Sequence, residues 1–235
     1  MTSPVFQYDP AIFARYPNLV GGVIVGRGLT NRPSPPDLLD AYRAEQQAVL
    51  KRIGDTPLSQ IESLSAWRGV FRSFGVDPTQ IRSACEALLR RLTKQGDIPS
   101  INMLVDIGNL VSIRYGLPVA VVDLRAAQGA ITVHFAEGDE RFTNLGTTEI
   151  VQPDKGEVIF SDDAKLVFAR RWCWRQSDQS AAREDTQQIA VTVEAHHSNA
   201  RADVEAAVRD LLALLQSYAG GEYRSGILTP ANVSI

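Results

Sequence analysis

Residues 100–115 read SINMLVDIGNLVSIRY and are followed by Gly116-Leu117-Pro118 and then VAVVDL over residues 119–124. The first run is apolar enough for a largely buried helix, ended by Gly116; the second is short and β-branched, as a strand requires. The chain changes character at this junction. Upstream, residues 18–25 (NLVGGVIV) predict a buried strand closed by the turn-like Gly26-Arg27-Gly28. The loop Asn31-Arg32-Pro33-Ser34-Pro35-Pro36 then leads into a helix, with Ser34 as its cap and Leu38, Leu39, Tyr42, Val49, Leu50 and Ile53 as its apolar stripe. A second helix is expected over 65–74, stopped by Gly75. A third is expected from Asp77-Pro78, with Ile81, Ala84, Cys85, Leu88, Leu89 and Leu92 recurring at helical spacing.

Downstream, residues 119–124, 130–135, 157–160, 166–174 and 188–196 read as strands, mostly separated by Gly, Asp and Pro turns. Asn199 or Asp203 opens an amphipathic helix running to Gly220, and 222–235 reads as irregular. No internal repeat or flexible linker divides the chain. The expectation is one mixed α/β (α+β) domain over 1–235, helical in its first half, with a mostly antiparallel or mixed sheet in its second.

A chain of 235 residues can hold one sizeable core or two small ones, and 44% hydrophobic with 22% charged residues excludes a disordered, collagenous or coiled-coil protein. No run approaches the ~20 apolar residues of a membrane helix. Residues 1–9 (MTSPVFQYD) lack the basic and apolar regions of a secretory signal. Two cysteines, Cys85 and Cys173, cannot frame a disulfide-stapled fold, so a cytoplasmic protein is expected. The net charge of −3 gives no overall pull toward nucleic acid, but residues 1–100 carry twelve Lys/Arg against nine Asp/Glu. Arg68, Arg72, Arg82, Arg90, Arg91 and Lys94 face only Asp77 and Glu86 there, a local basic face that can steer a polyanion. From charge alone, ordinary solvated helix faces explain this better.

The motifs of common chemistries are missing. Gly21-Gly22 and Gly26-x-Gly28 follow a strand, but no third glycine completes a dinucleotide fingerprint and no Walker Lys-Ser/Thr follows, so a turn is the simpler reading. Cys85 lies on an apolar stripe, and neither cysteine has a second one near it. The histidines, His134, His196 and His197, show no metal-ligand spacing, and no Gly-x-Ser-x-Gly elbow exists. No metal or organic cofactor is implied. The most unusual stretch is Arg170-Arg171-Trp172-Cys173-Trp174-Arg175-Gln176. Strand alternation puts Arg171, Cys173 and Arg175 on one face and Arg170, Trp172 and Trp174 on the other. Arginine beside tryptophan suits stacking on bases or holding an aminoacyl ligand; it equally suits a strand with core tryptophans and arginines paired to Asp162, Asp163 or Asp178. Pattern alone leaves both open.

Several blocks together resemble one family. Pro99-Ser100-Ile101-Asn102-Met103-Leu104-Val105-Asp106-Ile107-Gly108-Asn109, then Gly116-Leu117-Pro118 and Val122-Asp123-Leu124, resemble the central block of the B3/B4 domain of the bacterial phenylalanyl-tRNA synthetase β subunit. There the pattern runs approximately I-N-N-x-V-D-x-T-N-Y and then G-x-P-x-H-A-F-D. Arg15-Tyr16-Pro17 through Ser34-Pro35 is similar to that domain's opening strand and loop, and residues 186–195 (TQQIAVTVEA) to its closing strand. The likeness spans about 12–200, leaving 201–235 as a C-terminal helix and tail. The Trp-x-Trp-Arg stretch and residues 86–91 (EALLRR) look like the free-standing B3/B4 proteins.

The resemblance implies a domain that binds the tRNA acceptor end and hydrolyses tyrosine wrongly esterified to the tRNA for phenylalanine. A buried carboxylate that accepts a phenol's hydrogen bond is left unpaired by a phenyl ring, which allows discrimination of ~10⁴–10⁵. Glu194 matches the family's phenol-sensing Glu, and Asn109 matches the Asn of its Thr-Asn pair. Three positions depart: Ala120 stands at the pocket His, Gly108 at the Thr, and Trp174-Arg175 near the Gly-Gly pocket wall. These point to a pocket rebuilt for a different aminoacyl group, with Arg175 available to pair with Glu194 or with an acidic ligand.

The first expectation is therefore a trans-acting aminoacyl-tRNA deacylase. Asn109 and Glu194 act as its catalytic pair, orienting the aminoacyl group and water. Gly108, Ala120, Trp174 and Arg175 shape its pocket, and Arg72, Arg82, Arg90 and Arg91 hold tRNA phosphates. A non-catalytic tRNA-binding module and an amino-acid-like small-molecule binder that has lost tRNA are the alternatives. No membrane or metal partner is implied, and nothing in the sequence specifies an oligomeric state.

Overall fold

The long inner strand β10 (Gln188–Ala195) is buried along seven of its eight residues. Such a strand must be continuously apolar or polar-satisfied, and its sequence QIAVTVEA is. The computed structural model describes residues 5–235; residues 1–4, part of the stretch read for a leader, lie outside the described residues. In chain order the elements are β1 (Phe6–Tyr8), α1 (Pro10–Arg15), β2 (Val20–Arg27), α2 (Pro36–Ile53), α3 (Glu62–Ser73), α4 (Ala84–Gln95), α5 (Met103–Tyr115), β3 (Val119–Asp123), β4 (Ile131–Phe135), β5 (Phe142–Thr143), β6 (Ile150–Val151), β7 (Val158–Ser161), β8 (Val167–Arg170), β9 (Arg175–Gln176), β10, α6 (Ala200–Tyr218) and β11 (Glu222–Leu228). This is the mixed α+β architecture expected, helical early and sheet-rich late.

The strands form an antiparallel four-stranded sheet, β11-β2-β10-β3, a five-stranded sheet, β1-β4-β7-β8-β9, in which only the β1–β4 pairing is parallel, and an antiparallel pair, β5-β6. Alternation along β10 assigns its two faces. Ile189, Val191, Val193 and Ala195 pack on α2, α4, α5 and α6, while Ala190 turns toward the five-stranded sheet with Val23, Val25 and Val122. The second core also takes Phe6 and Tyr8 of β1, Ile12 and Phe13 of α1, and Trp67 and Phe71 of α3. A small third cluster, Ala136, Phe142, Ile159 and Val167, lies on the far face of the five-stranded sheet.

The paired glycines of β2 are packing residues facing opposite ways. A Cβ on Gly21 would lie 2.4 Å from the Tyr8 hydroxyl, and one on Gly22 would lie 2.5 Å from Val208 of α6. Close approach of a phenol on one face and a helix on the other therefore accounts for the doublet.

Several expectations are corrected. Ser34 does not cap α2, which starts after Pro35 without a side-chain cap; its hydroxyl instead donates to Asp106 of α5 at 2.6 Å. Asp77-Pro78 opens a turn in which Asp77 accepts from the Thr79 amide, and α4 begins only at Ala84, where the Ser83 hydroxyl accepts from the Glu86 amide. The tail is not irregular throughout: β11 pairs with β2 from Glu222 to Leu228 and covers its edge. The run 166–174 is not one strand, because the chain turns after Arg170.

The two packing environments of glycine make a paired prediction. Gly22→Ala is expected to lower stability by about 1–3 kcal/mol through overpacking against Val204 and Val208. Gly69→Ala, on α3 with nothing within 4 Å of the added carbon, is expected to raise it by about 0.5–1 kcal/mol. Urea unfolding midpoints of the two variants read both signs.

Candidate functional site

The turn after Arg170 is the local feature that builds the site. Arg171 and Trp172 both have positive φ, 46° and 61°, a conformation that costs non-glycine residues ~1–3 kcal/mol each. It is held from three sides. Buried Glu157 accepts from the Arg170 guanidinium at 2.9 and 2.7 Å and from the Arg171 amide at 2.8 Å. The Trp172 amide donates to the Val158 carbonyl at 2.6 Å, and the Cys173 carbonyl accepts from the Ala84 amide at 2.7 Å. Arg170 and Arg171 thus answer to Glu157 rather than to Asp162, Asp163 or Asp178. The turn drives the Trp172 indole fully into the second core.

There it meets Glu194. The Trp172 Nε1–H donates to Glu194 Oε1 at 2.8 Å, and the Tyr8 hydroxyl donates to the same oxygen at 2.5 Å. The Trp67 Nε1–H donates to the Glu194 main-chain carbonyl at 3.3 Å. Gly21 is the cross-strand partner of Glu194, and its missing side chain makes room for the Tyr8 ring. Glu194 is 2% exposed. Burial pushes its carboxyl up to about 7, with the hydrogen bonds from Trp172 and Tyr8 pulling the other way. The same burial, with the carboxylate beside it, raises the Tyr8 phenol well above its ordinary value.

Of the residues expected in one pocket, the structure brings some together and separates others. Ala120 pairs with Thr192 across β3 and β10 and packs toward the second core, on the same sheet face as Glu194. Gln176, next to Arg175, donates to the Val121 carbonyl at 2.9 Å, so β9 meets β3 beside Ala120. Arg175 is exposed and lies over the Trp174 ring at 4.5 Å, with Arg171 at 4.7 Å from the same ring. It stacks on Trp174 instead of pairing with Glu194, whose Oε1 takes Tyr8 and Trp172. Gly108 and Asn109 lie on α5, across the sheet from Glu194: Gly108 packs against Val121 and Val119, whose face belongs to the helical core.

The basic residues are spread over α3, α4 and the connection between them. Arg72 and Arg90 are exposed, Arg91 lies 3.7 Å from Asp97, and Arg82 is 3.7 Å from Glu86. Arg68, at 2.6 Å from buried Glu86, ties α3 to α4. Among the histidines, His134 bonds Ser161 at 2.7 Å and His197 bonds Asp203 at 2.7 Å. His196 packs edge-on against Trp67, Trp172 and Tyr16, at 4.6, 5.2 and 6.0 Å between ring centres. Among the described residues, no group of three or more His, Cys, Asp or Glu is placed to hold a metal ion, and no helix is long and apolar enough to cross a membrane. Sequence reasoning missed Tyr8 as a partner of Glu194; the two are 186 positions apart, and no spacing rule connects them.

A family model described as the B3/4 domain matches residues 66–220. The phenylalanine–tRNA ligase beta subunit of Shewanella oneidensis is 30% identical over 94 residues, 40% of this chain and 12% of that protein. The corresponding subunit of Streptomyces avermitilis is 39% identical over 89 residues, 38% of this chain and 10% of that protein. The matches thus span about a tenth of these relatives' length. A crystal structure of an N-terminal fragment of the phenylalanyl-tRNA synthetase beta subunit from Pyrococcus horikoshii aligns over 94% of this chain and 50% of that one, with a TM-score of 0.47 and 13% identity.

The buried carboxyl fixes a pH dependence. Its folded value, about 7, lies above the ordinary 4.5, so the folded state holds this proton more tightly than the unfolded chain does. Its contribution to stability is full below about pH 4.5 and is lost as pH rises through about 7. Tyr8→Phe removes a donor that serves the charged form best. Its penalty is expected to be about 1–3 kcal/mol at pH 8 and clearly smaller at pH 5, by urea unfolding at the two pH values.

Proposed function

The chain belongs to the B3/4 domain family, and on that premise we propose that it binds the aminoacyl end of tRNA and hydrolyses the ester of a mischarged one. In that reaction water adds to the ester carbonyl carbon, the acyl–oxygen bond breaks, and the ribose oxygen leaves with a proton. Such a step depends on positioning and on stabilising the oxyanion more than on a strong nucleophile, so it requires no triad.

The observation that carries the reading is the chemistry around Glu194. The carboxylate accepts a phenol at 2.5 Å, opposite a glycine that makes room for the ring, with an indole N–H on the same oxygen. This is a phenol-accepting arrangement on a strand that lies within the residues matched by the B3/4 domain model. In the structure the phenol belongs to Tyr8, so an incoming amino acid has to displace Tyr8 or be selected by groups on the same sheet face such as Ala120; Trp174 lies apart, stacked with Arg171 and Arg175. Asn109, across the sheet, would act on the site only through α5 and β3.

A second reading, a tRNA-binding module without turnover, is favoured by the same occupancy, since Glu194 has its donors already. Arg72 and Arg90, exposed on α3 and α4, are the candidate phosphate contacts under either reading.

The two readings part in one assay. The protein is incubated with tRNAs carrying different wrong amino acids, and release of the labelled amino acid is followed with wild type and with Glu194→Gln, which keeps an acceptor for Tyr8 and Trp172. Release of one amino acid, reduced at least about tenfold in the variant, is the expected outcome. Salt-dependent tRNA retention with no release supports the binding module. Under either reading, Arg72→Ala combined with Arg90→Ala is expected to lower the slope of log affinity against log salt by about two.

A further inference from the structure

A cleft of about 280 Å³ opens in the helical layer, where α2, α4, α5 and α6 come together. Its floor is apolar: Ile53 at the end of α2, Leu89 of α4 and Ile113 of α5 are all buried in the helical core, and Ile61, just before α3, adds to the wall. Two side chains of opposite charge line the same space. Arg52 stands in the last turn of α2 and Asp203 in the first turn of α6. Among the described residues, neither forms an ion pair with a lysine, an arginine or a carboxylate, so the two flank the cleft without meeting.

Both charges are held in place by uncharged partners. One nitrogen of Arg52, Nη2, donates to the main-chain carbonyls of Ile113 and Arg114, at 3.0 and 2.7 Å, which leaves the rest of the guanidinium fork open. On Asp203, Oδ2 accepts from His197 Nε2 at 2.7 Å and Oδ1 accepts from Asn199 Nδ2 at 2.9 Å. The His197 ring is buried and its Nδ1 finds no acceptor, so Nε2 carries the proton given to Asp203. Each carboxylate oxygen is thereby oriented with room for one more donor, on a side chain only 32% exposed. The other cation of the lining, Arg114, is already taken by Glu45 and Asp210, at 2.7 Å each.

Two fixed, opposite and unanswered charges around an apolar floor match a ligand that carries both charges and an apolar body. The volume, below that of most drug-sized sites, suits a molecule of amino-acid size. We propose that this cleft binds a free α-amino acid with an aliphatic side chain. Its carboxylate meets Arg52, its ammonium meets Asp203, and its side chain lies on Ile53, Leu89 and Ile113. The site stands apart from the tRNA reading, because its floor belongs to the helical core whereas Tyr8 and Trp172, the donors to Glu194, belong to the core on the opposite sheet face.

L-leucine titrated into the protein, followed by amide chemical shifts, tests this against two analogues that each lack one charge, isoamylamine and isocaproate. Expected are saturable shifts at residues 52–53, 61, 89, 113–116 and 203, with leucine bound roughly tenfold more tightly than either analogue. Arg52→Gln keeps a donor for the two carbonyls. It is expected to bring leucine down to the level of isoamylamine and to leave isoamylamine itself unchanged. Asp203→Asn keeps an acceptor and is expected to bring leucine down to the level of isocaproate, with isocaproate unchanged. Glycine, which has no side chain for the floor, is expected to bind more weakly than leucine. Leucine bound no more tightly than its analogues, indifference to either substitution, or no saturable shift up to ~10 mM would overturn the proposal. So would shifts confined to Tyr8, Gly21 and Trp172, which would place the amino acid at Glu194 instead.

Discussion

A carboxylate without water must be given donors, and at Glu194 that requirement organises the middle of the molecule. Its two donors come from different places, Tyr8 on the first strand of one sheet and Trp172 from a strained turn of that same sheet, while Trp67 of α3 donates to the main-chain carbonyl of the same residue. Glu194 itself belongs to the other sheet. The site is therefore the polar pin of an otherwise apolar sheet-on-sheet core, and removing a donor leaves a buried acceptor short by ~1–3 kcal/mol. The Glu157–Arg170 pair is subordinate to this pin. By holding the turn in which Arg171 and Trp172 adopt left-handed backbone, it spends conformational strain to aim one indole.

Strand β2 shows how the same constraint shapes sequence. Gly21 and Gly22 look like a ligand loop, yet each is the absence of a side chain demanded by a neighbour: a phenol on one face, α6 on the other. Gly26 continues the pattern beneath the Tyr223 ring of β11. A glycine-rich strand in the centre of a sheet would be weak alone; here both neighbours, β10 and β11, run its length.

What was legible in the sequence was what has a period or a local grammar. The apolar stripes of α2, α4 and α6, the buried run of α5 and the β-branched runs of β2, β3 and β10 announced themselves. So did the change from helices to strands near residue 116. Element starts that depend on a competing partner did not: Ser34 prefers Asp106 to a helix end, and Ser83 rather than Asp77 caps α4. The tail's seven-residue strand was hidden because its sequence, EYRSGIL, is polar and earns its pairing only from the edge of β2. Glu194 was found by resemblance and lies at the heart of the structure. Asn109 was found the same way, but helix α5 is apolar all round, so its sequence does not say which side meets the sheet. Tyr8 carried no signal at all, because what makes it important is a contact across nearly the whole chain.

That contact has a consequence for the order of events in folding and breathing. The ribbon bearing Tyr8 is held by β4 on one side, and on the other by main-chain bonds from Val5, Phe6 and Tyr8 to Ile235 and Val233. It is three residues long and closes a loop of almost the full chain, so its docking falls late and its release early relative to the four-stranded sheet. A fluctuation that peels this ribbon would bare the Glu194 acceptor and the space beside Gly21 together, while β10, β2 and both indoles stay in place. In that event the exposure of the carboxylate would be metered by the lifetime of a closure between residues 5–8 and 233–235, a clock set far along the chain from the strand that carries the acid.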